Sequence, residues 1–155
     1  MKFNMETWSI RTMAPEETMV FAEKLGALVQ QGDVITLEGD LGAGKTSFTK
    51  GLAKGLGVKK VVNSPTFTIM KQYKGRIPLY HMDVYRLENE YEDLGFEEYF
   101  YGDGVTVIEW PSMIVAQLPQ DRLKITIEYK GESERLIMIE ATGSRSSELS
   151  KELAV

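Results

Sequence analysis

The spacing of apolar residues changes along the chain, and each change predicts an element. From Lys2 to Trp8, Phe3, Met5 and Thr7 alternate with Lys2, Asn4 and Glu6, which predicts a short strand at a sheet edge. After Pro15 the period lengthens. Ala22, Leu25 and Val29 form an apolar stripe that predicts a helix from Pro15 to about Gln30, with Glu16 and Glu17 at its positive end. Gln31, Gly32 and Asp33 break it. Val34 to Glu38 predicts a strand, and Lys45 to about Leu56 a second helix. Phe48, Leu52 and Leu56 lie four apart on that helix, and Gly57 is positioned to end it. Gly51 falls in its interior, at a propensity cost of roughly 1 kcal/mol relative to Ala.

In the second half, Asn63-Ser64-Pro65-Thr66 reads as a loop. Phe67 to Tyr73 and Ile77 to Asp83 read as strands flanking a Lys74-Gly75 turn, a hairpin pattern. Glu88 to Leu94 predicts a short helix closed by Gly95. Val105 to Ile108 is a strand ending in Glu109, and a short helix follows Pro111 to Leu118. Leu123 to Tyr129 and Leu136 to Ala141 alternate around Lys130-Gly-Glu-Ser, giving a second hairpin. The order of elements predicts an α/β sandwich, and the hairpins make its central sheet mixed.

The length of 155 residues suits one core, which is assigned to residues 1–142. Residues 143–155 read as a polar tail with a few helical residues, the least constrained part of the chain. The absence of Cys excludes disulfides and thiolate metal sites. Eighteen Lys and Arg against 23 Asp and Glu give a net charge of -5, which argues against an independent nucleic-acid grip. Only Lys54, Lys59 and Lys60 cluster. No stretch approaches the roughly 18 apolar residues of a membrane span, and the N-terminus lacks a signal-peptide pattern, so the expected location is the cytoplasm.

Between the Val34 strand and the Lys45 helix stands Gly39-Asp40-Leu41-Gly42-Ala43-Gly44-Lys45-Thr46, a full match to G-x-x-x-x-G-K-[ST]. Its chemistry follows from its composition. Glycines let successive backbone N–H groups turn inward around phosphate oxygens, and the helix start adds unpaired N–H groups and a positive dipole end. Lys45 reaches the outer phosphates and the Thr46 hydroxyl suits Mg2+, which makes ATP with Mg2+ the expected ligand. P-loop proteins also need a carboxylate near the metal and an oriented water. Asp83 and Glu109 each end a strand, and the spacing does not decide which serves the metal and which the water. Thr66 sits where such enzymes place a segment that senses the γ-phosphate, although a turn-capping role fits it equally. His81, the only histidine, shares a sheet face with Asp83 by alternation. It reads either as a support for that acid or, more simply, as a structural core residue. Trp110, Tyr85 and Arg86 follow the acids and suit packing or pairing roles.

The ordered set GDLGAGKT at 39–46, SPTF at 64–67, YHMDVYRL at 80–87 and IEWP at 108–111 resembles the TsaE family. These are P-loop ATPases of bacterial tRNA threonylcarbamoyladenosine synthesis, and the likeness spans about residues 10 to 140. It implies a Mg2+-dependent protein that hydrolyses ATP slowly and supports the TsaD–TsaB pair, in which TsaD performs the transfer to the adenosine beside the anticodon. It implies contact with tRNA only through that complex. It also assigns Lys45 and Thr46 to phosphate and magnesium, Thr66 to a switch-like role, Asp83 to the metal, and Glu109 to the metal and water network. A GTPase would carry D-x-x-G and N-K-x-D, which are missing. A small-molecule kinase would need an arginine-bearing lid, yet the six Arg are scattered at 11, 76, 86, 122, 135 and 145. A non-catalytic nucleotide sensor is the alternative from another class.

Overall fold

Strand β2 (Val34–Glu38) is apolar and β-branched, and its first four residues are buried, as expected for a strand covered on both faces. It lies at the centre of a seven-stranded sheet in the computed structural model, which describes residues 6–39, 43–62, 70–84 and 95–155. The other strands are β1 (Glu6–Thr12), β3 (Met70–Tyr73), β4 (Leu79–Asp83), β5 (Val105–Glu109), β6 (Leu123–Tyr129) and β7 (Arg135–Ala141), in the spatial order β1-β7-β6-β2-β5-β4-β3. Neighbours within β6-β2-β5-β4 run parallel, while β1–β7, β7–β6 and β4–β3 pair antiparallel. The sheet is therefore mixed, and both expected hairpins are present.

Helices cover both faces. On one, α1 (Pro15–Leu28), α2 (Lys45–Gly55) and α4 (Ser144–Ala154) bury Ala22, Leu25, Phe48, Leu52, Leu149 and Leu153 against Ile35, Leu37, Ile125 and Ile139. On the other, the short α3 (Phe96–Phe100) packs Phe96 and Phe100 with Tyr80, Met82, Ile108 and Ile114. Among the described residues no helix is long and apolar enough to cross a membrane.

Helices α1 and α2 meet backbone to backbone. A Cβ on Gly26 would lie 2.1 Å from the Leu52 carbonyl oxygen, one on Gly55 2.1 Å from that of Glu23, and one on Gly51 2.4 Å from that of Met19. The interior Gly51 thus reflects a contact that admits no side chain. Its propensity cost is the lesser consideration.

Several boundaries differ from the sequence expectation. Strand β1 continues to Thr12, because Trp8 and Ile10 keep the alternation and pack on the core, while residues 2–5 lie outside the described set. The segments expected as a loop at 63–66, the start of a strand at 67–69 and a helix at 88–94 also lie outside it. Gly95 was expected to end a helix. It precedes α3 as its N-cap in left-handed conformation, and the helix it was expected to close lies outside the described residues. The helix after Pro111 is a 3-10 segment, Pro111–Gln117, broken at Ile114.

The largest difference is at the C-terminus. The expected polar tail is an 11-residue helix with Ser146, Leu149, Ser150 and Leu153 buried. Arg145 at its start donates from Nε and Nη2 to the buried Asp33 carboxylate, at 3.0 Å each. Asp121 accepts from the backbone N–H groups of Arg145 and Ser146, capping the helix from the preceding loop.

Candidate active site

The parallel strands β2, β5 and β4 deliver their C-terminal ends to one edge of the sheet. Glu109 is in register with Leu37 on one side and with Asp83 on the other, so the two acids of the sequence analysis stand side by side. Glu109 is 3% exposed, while Asp83 is partly exposed. The chain leaves β2 through Gly39 and enters α2 at Lys45 and Thr46. Gly39 has φ +153, and a Cβ there would lie 2.5 Å from the Ile127 carbonyl oxygen. Gly44, the N-cap of α2, has φ 109. Both positions require glycine for the tight entry into the helix. Asp40, Leu41, Gly42 and Thr66 lie outside the described residues.

Lys45 is 5% exposed. Its ammonium donates to the Gly39 carbonyl at 2.7 Å and sits 3.7 Å from the centroid of the Trp110 ring. A cation over an indole face in a desolvated setting gains about 2 kcal/mol. The contact ties the first turn of α2 to the residue following Glu109. Trp110 adopts φ 60, and its N–H reaches the Leu37 carbonyl at 3.4 Å. A bulky residue in that region is strained by about 1–3 kcal/mol, a cost typical of segments held for function. By sequence Trp110 reads as a packing residue. The cation–ring contact depends on how a helix start and a strand end converge, which no short motif records.

Arg135 was not anticipated, and His81 meets a different acid from the one its alternation suggests. Arg135 on β7 donates from Nε to the Ala43 carbonyl at 2.9 Å and rests over the Tyr129 ring, bracing the backbone just before Gly44. His81 is fully buried, and its Nε2 lies 2.5 Å from Glu109 Oε2. Alternation places His81 on the face of Asp83, but its hydrogen bond goes across to the neighbouring strand. The register that allows this, His81 opposite Val107 and Asp83 opposite Glu109, cannot be read from one strand alone.

Lys59 and Lys60 are exposed and share a surface depression with Lys74 at the far end of α2. Lys54 faces Glu23 at 4.0 Å.

The site thus joins a helix start, a buried ammonium, a hydroxyl residue and two adjacent carboxylates at strand ends. Such a set offers N–H and cationic groups to phosphate oxygens and hard oxygen donors to a divalent cation.

Comparison with known proteins agrees with this picture. The family model described as "Threonylcarbamoyl adenosine biosynthesis protein TsaE" matches residues 12–137. The tRNA threonylcarbamoyladenosine biosynthesis protein TsaE of Bacillus subtilis is 57% identical over 145 residues, covering 93% of this chain and 92% of the relative. The protein of the same name from Treponema pallidum is 42% identical over 126 residues, covering 80% and 93%. The crystal structure of Bacillus subtilis YdiB superposes with a TM-score of 0.87 at 49% identity, covering 99% of this chain and 97% of that one. The likeness in sequence and fold extends over nearly the whole length, and the chain belongs to the TsaE family.

Proposed function

We propose that the chain is a slow, Mg2+-dependent ATPase that supports TsaD–TsaB in threonylcarbamoyl modification of tRNA in the cytoplasm. The observation that carries this reading is the convergence of Lys45, Glu109 and Asp83 at one sheet edge in a member of this family. The N–H groups at the start of α2 and the backbone from Gly39 to Thr46 hold the phosphates. Lys45 exchanges its contact with the Gly39 carbonyl for the outer phosphates. Thr46, Asp83 and Glu109 supply oxygen donors suited to Mg2+, which when bound neutralises charge building on the phosphates. No group of three or more His, Asp or Glu side chains forms a protein cage for a metal among the described residues, and a magnesium ion that keeps its waters and phosphate oxygens needs none. Glu109 orients a water toward the γ-phosphorus. The new P–O bond forms as the bond to the bridging oxygen breaks, giving ADP and inorganic phosphate. Thr66 is assigned to sensing the γ-phosphate.

Contact with tRNA is indirect. Three exposed lysines around one depression on a chain of net charge -5 neutralise too few phosphates for independent tight binding. The deciding experiment measures ATP turnover by the full chain with Mg2+, alone and with TsaD–TsaB, and co-elution with that pair in ATP, ADP and no nucleotide. Slow turnover that changes with the pair supports the reading. Binding without any turnover favours a nucleotide sensor, and tight binding to tRNA alone at physiological salt refutes the indirect role.

A further inference from the structure

We propose that His81 is a positioning residue for Glu109, fixing the plane in which its carboxylate faces the nucleotide; the assignment rests on the reading of Glu109 as the water-orienting acid. Both side chains are buried, at 0% and 4% exposure, and 2.5 Å separates His81 Nε2 from Glu109 Oε2. A carboxylate in this setting accepts, so the imidazole donates from Nε2. The other ring nitrogen, Nδ1, has no hydrogen-bond partner among the described residues. An orphaned ring nitrogen in a closed core costs stability that an apolar side chain of the same shape would not. The retained polarity therefore points to the one bond the ring makes.

That bond crosses from β4 to β5, two residues before Asp83 on its own strand. It engages Oε2 and leaves Oε1 as the oxygen not held by His81. Rotation of the carboxylate about its last bond, broad and nearly two-fold in a free glutamate, is thereby reduced to one setting. A strand-anchored imidazole does this more rigidly than a loop residue, because β4 and β5 are paired along their whole length.

The test compares two amide replacements that differ in reach by one bond. Gln brings an N–H donor close to the place of His Nε2, whereas Asn reaches only about as far as Nδ1. With the full chain, ATP and Mg2+, His81→Asn is expected to lower kcat about 10- to 100-fold with KM within about twofold, the scale usual for residues that orient a catalytic group. His81→Gln is expected to recover most of that loss. In a Glu109→Gln background, His81→Asn should add nothing. Because His81 is the only histidine, 15N-imidazole NMR of the unmodified chain reads its tautomer directly. The Nε2–H form is expected, with a signal that moves in Glu109→Gln.

An Nδ1–H tautomer overturns the proposal whatever the variants do. Equal losses in the Asn and Gln variants, or losses that multiply with Glu109→Gln, also overturn it while leaving the ATPase reading intact. Unchanged turnover in Glu109→Gln removes the role of Glu109 itself, and with it the role assigned to His81.

Discussion

Helix α4 provides a sharp test of the packing, because its sequence reads as a tail while the structure treats it as core. Leu149 is 1% exposed, and truncating a buried Leu to Ala typically costs about 2–5 kcal/mol through lost transfer energy and the cavity left behind. Arg145→Ala acts differently, by leaving the Asp33 carboxylate buried without its guanidinium. Breaking a fully buried pair costs about 3–5 kcal/mol, but the Arg145 side chain is 26% exposed, so solvent screening reduces the expected loss to about 2–3 kcal/mol. With a urea m-value of about 2 kcal/mol/M, the unfolding midpoint should fall by about 1–2.5 M for Leu149→Ala and about 1–1.5 M for Arg145→Ala. The matching fall in Tm is about 2–4 °C for each kcal/mol. Adding Asp33→Asn to Arg145→Ala should restore part of the loss, since the stranded charge is removed. Midpoints that stay within about 0.2 M of the parent for both single variants would refute the packing argument, because surface residues away from special features change stability by no more than about 0.5 kcal/mol.

The remaining predictions concern the helix pair, the site and acid stability. Gly51→Ala should destabilise by about 1–3 kcal/mol in the same urea assay, although propensity alone would stabilise by about 1 kcal/mol; a gain would refute the close approach to Met19. Lys45→Ala should weaken ATP binding by about 2–5 kcal/mol in calorimetric titration, and unchanged affinity with unchanged turnover would remove Lys45 from the site. Asp83→Asn should raise the Mg2+ requirement for ATP binding, and Glu109→Gln should lower kcat with ATP still bound; a magnesium titration of both quantities separates them, and the opposite pattern reverses the two roles. Partial burial alone would raise the Asp121 carboxyl, but the Ser146 side chain and the Ser146 and Arg145 N–H groups hold it below its ordinary value of 3.8. Its contribution is therefore present above the unfolded value and lost as the pH falls through the lower folded one, so Asp121→Asn should flatten the acid limb of stability between them.

The legible parts of the fold were those with an unbroken period. Strands β2 and β5 announce themselves as β-branched runs, and α2 through Phe48, Leu52 and Leu56. Helix α4 escaped because two of its four buried positions, Ser146 and Ser150, are serines: their spacing with Leu149 and Leu153 is helical, but their chemistry reads as surface. The edge strand runs past Trp8 to Thr12 because Ile10 continues the alternation, which the polar Ser9 and Arg11 beside it obscure in sequence. At the site, the residue types around Lys45 and the two acids were readable from motif and strand position. The bond from His81 to Glu109, the placement of Trp110 under Lys45 and the brace from Arg135 were not, since each depends on strand order and register. Those are properties of the assembled sheet.

The contact at Gly26, Gly51 and Gly55 also sets the mechanics of the site. With backbone against backbone, α2 has no cushion of side chains on which to slide or roll, and α1 and α2 behave as a single beam. For the proposed ATPase, the Lys45 end of that beam is then a fixed reference when nucleotide enters or leaves. Any movement driven by the γ-phosphate has to be taken up across the gap to the strand ends, where Trp110 already holds a strained backbone that a small rearrangement would release. A probe on α2 should therefore report the same distance to α1 in every nucleotide state, while one near Trp110 carries the signal.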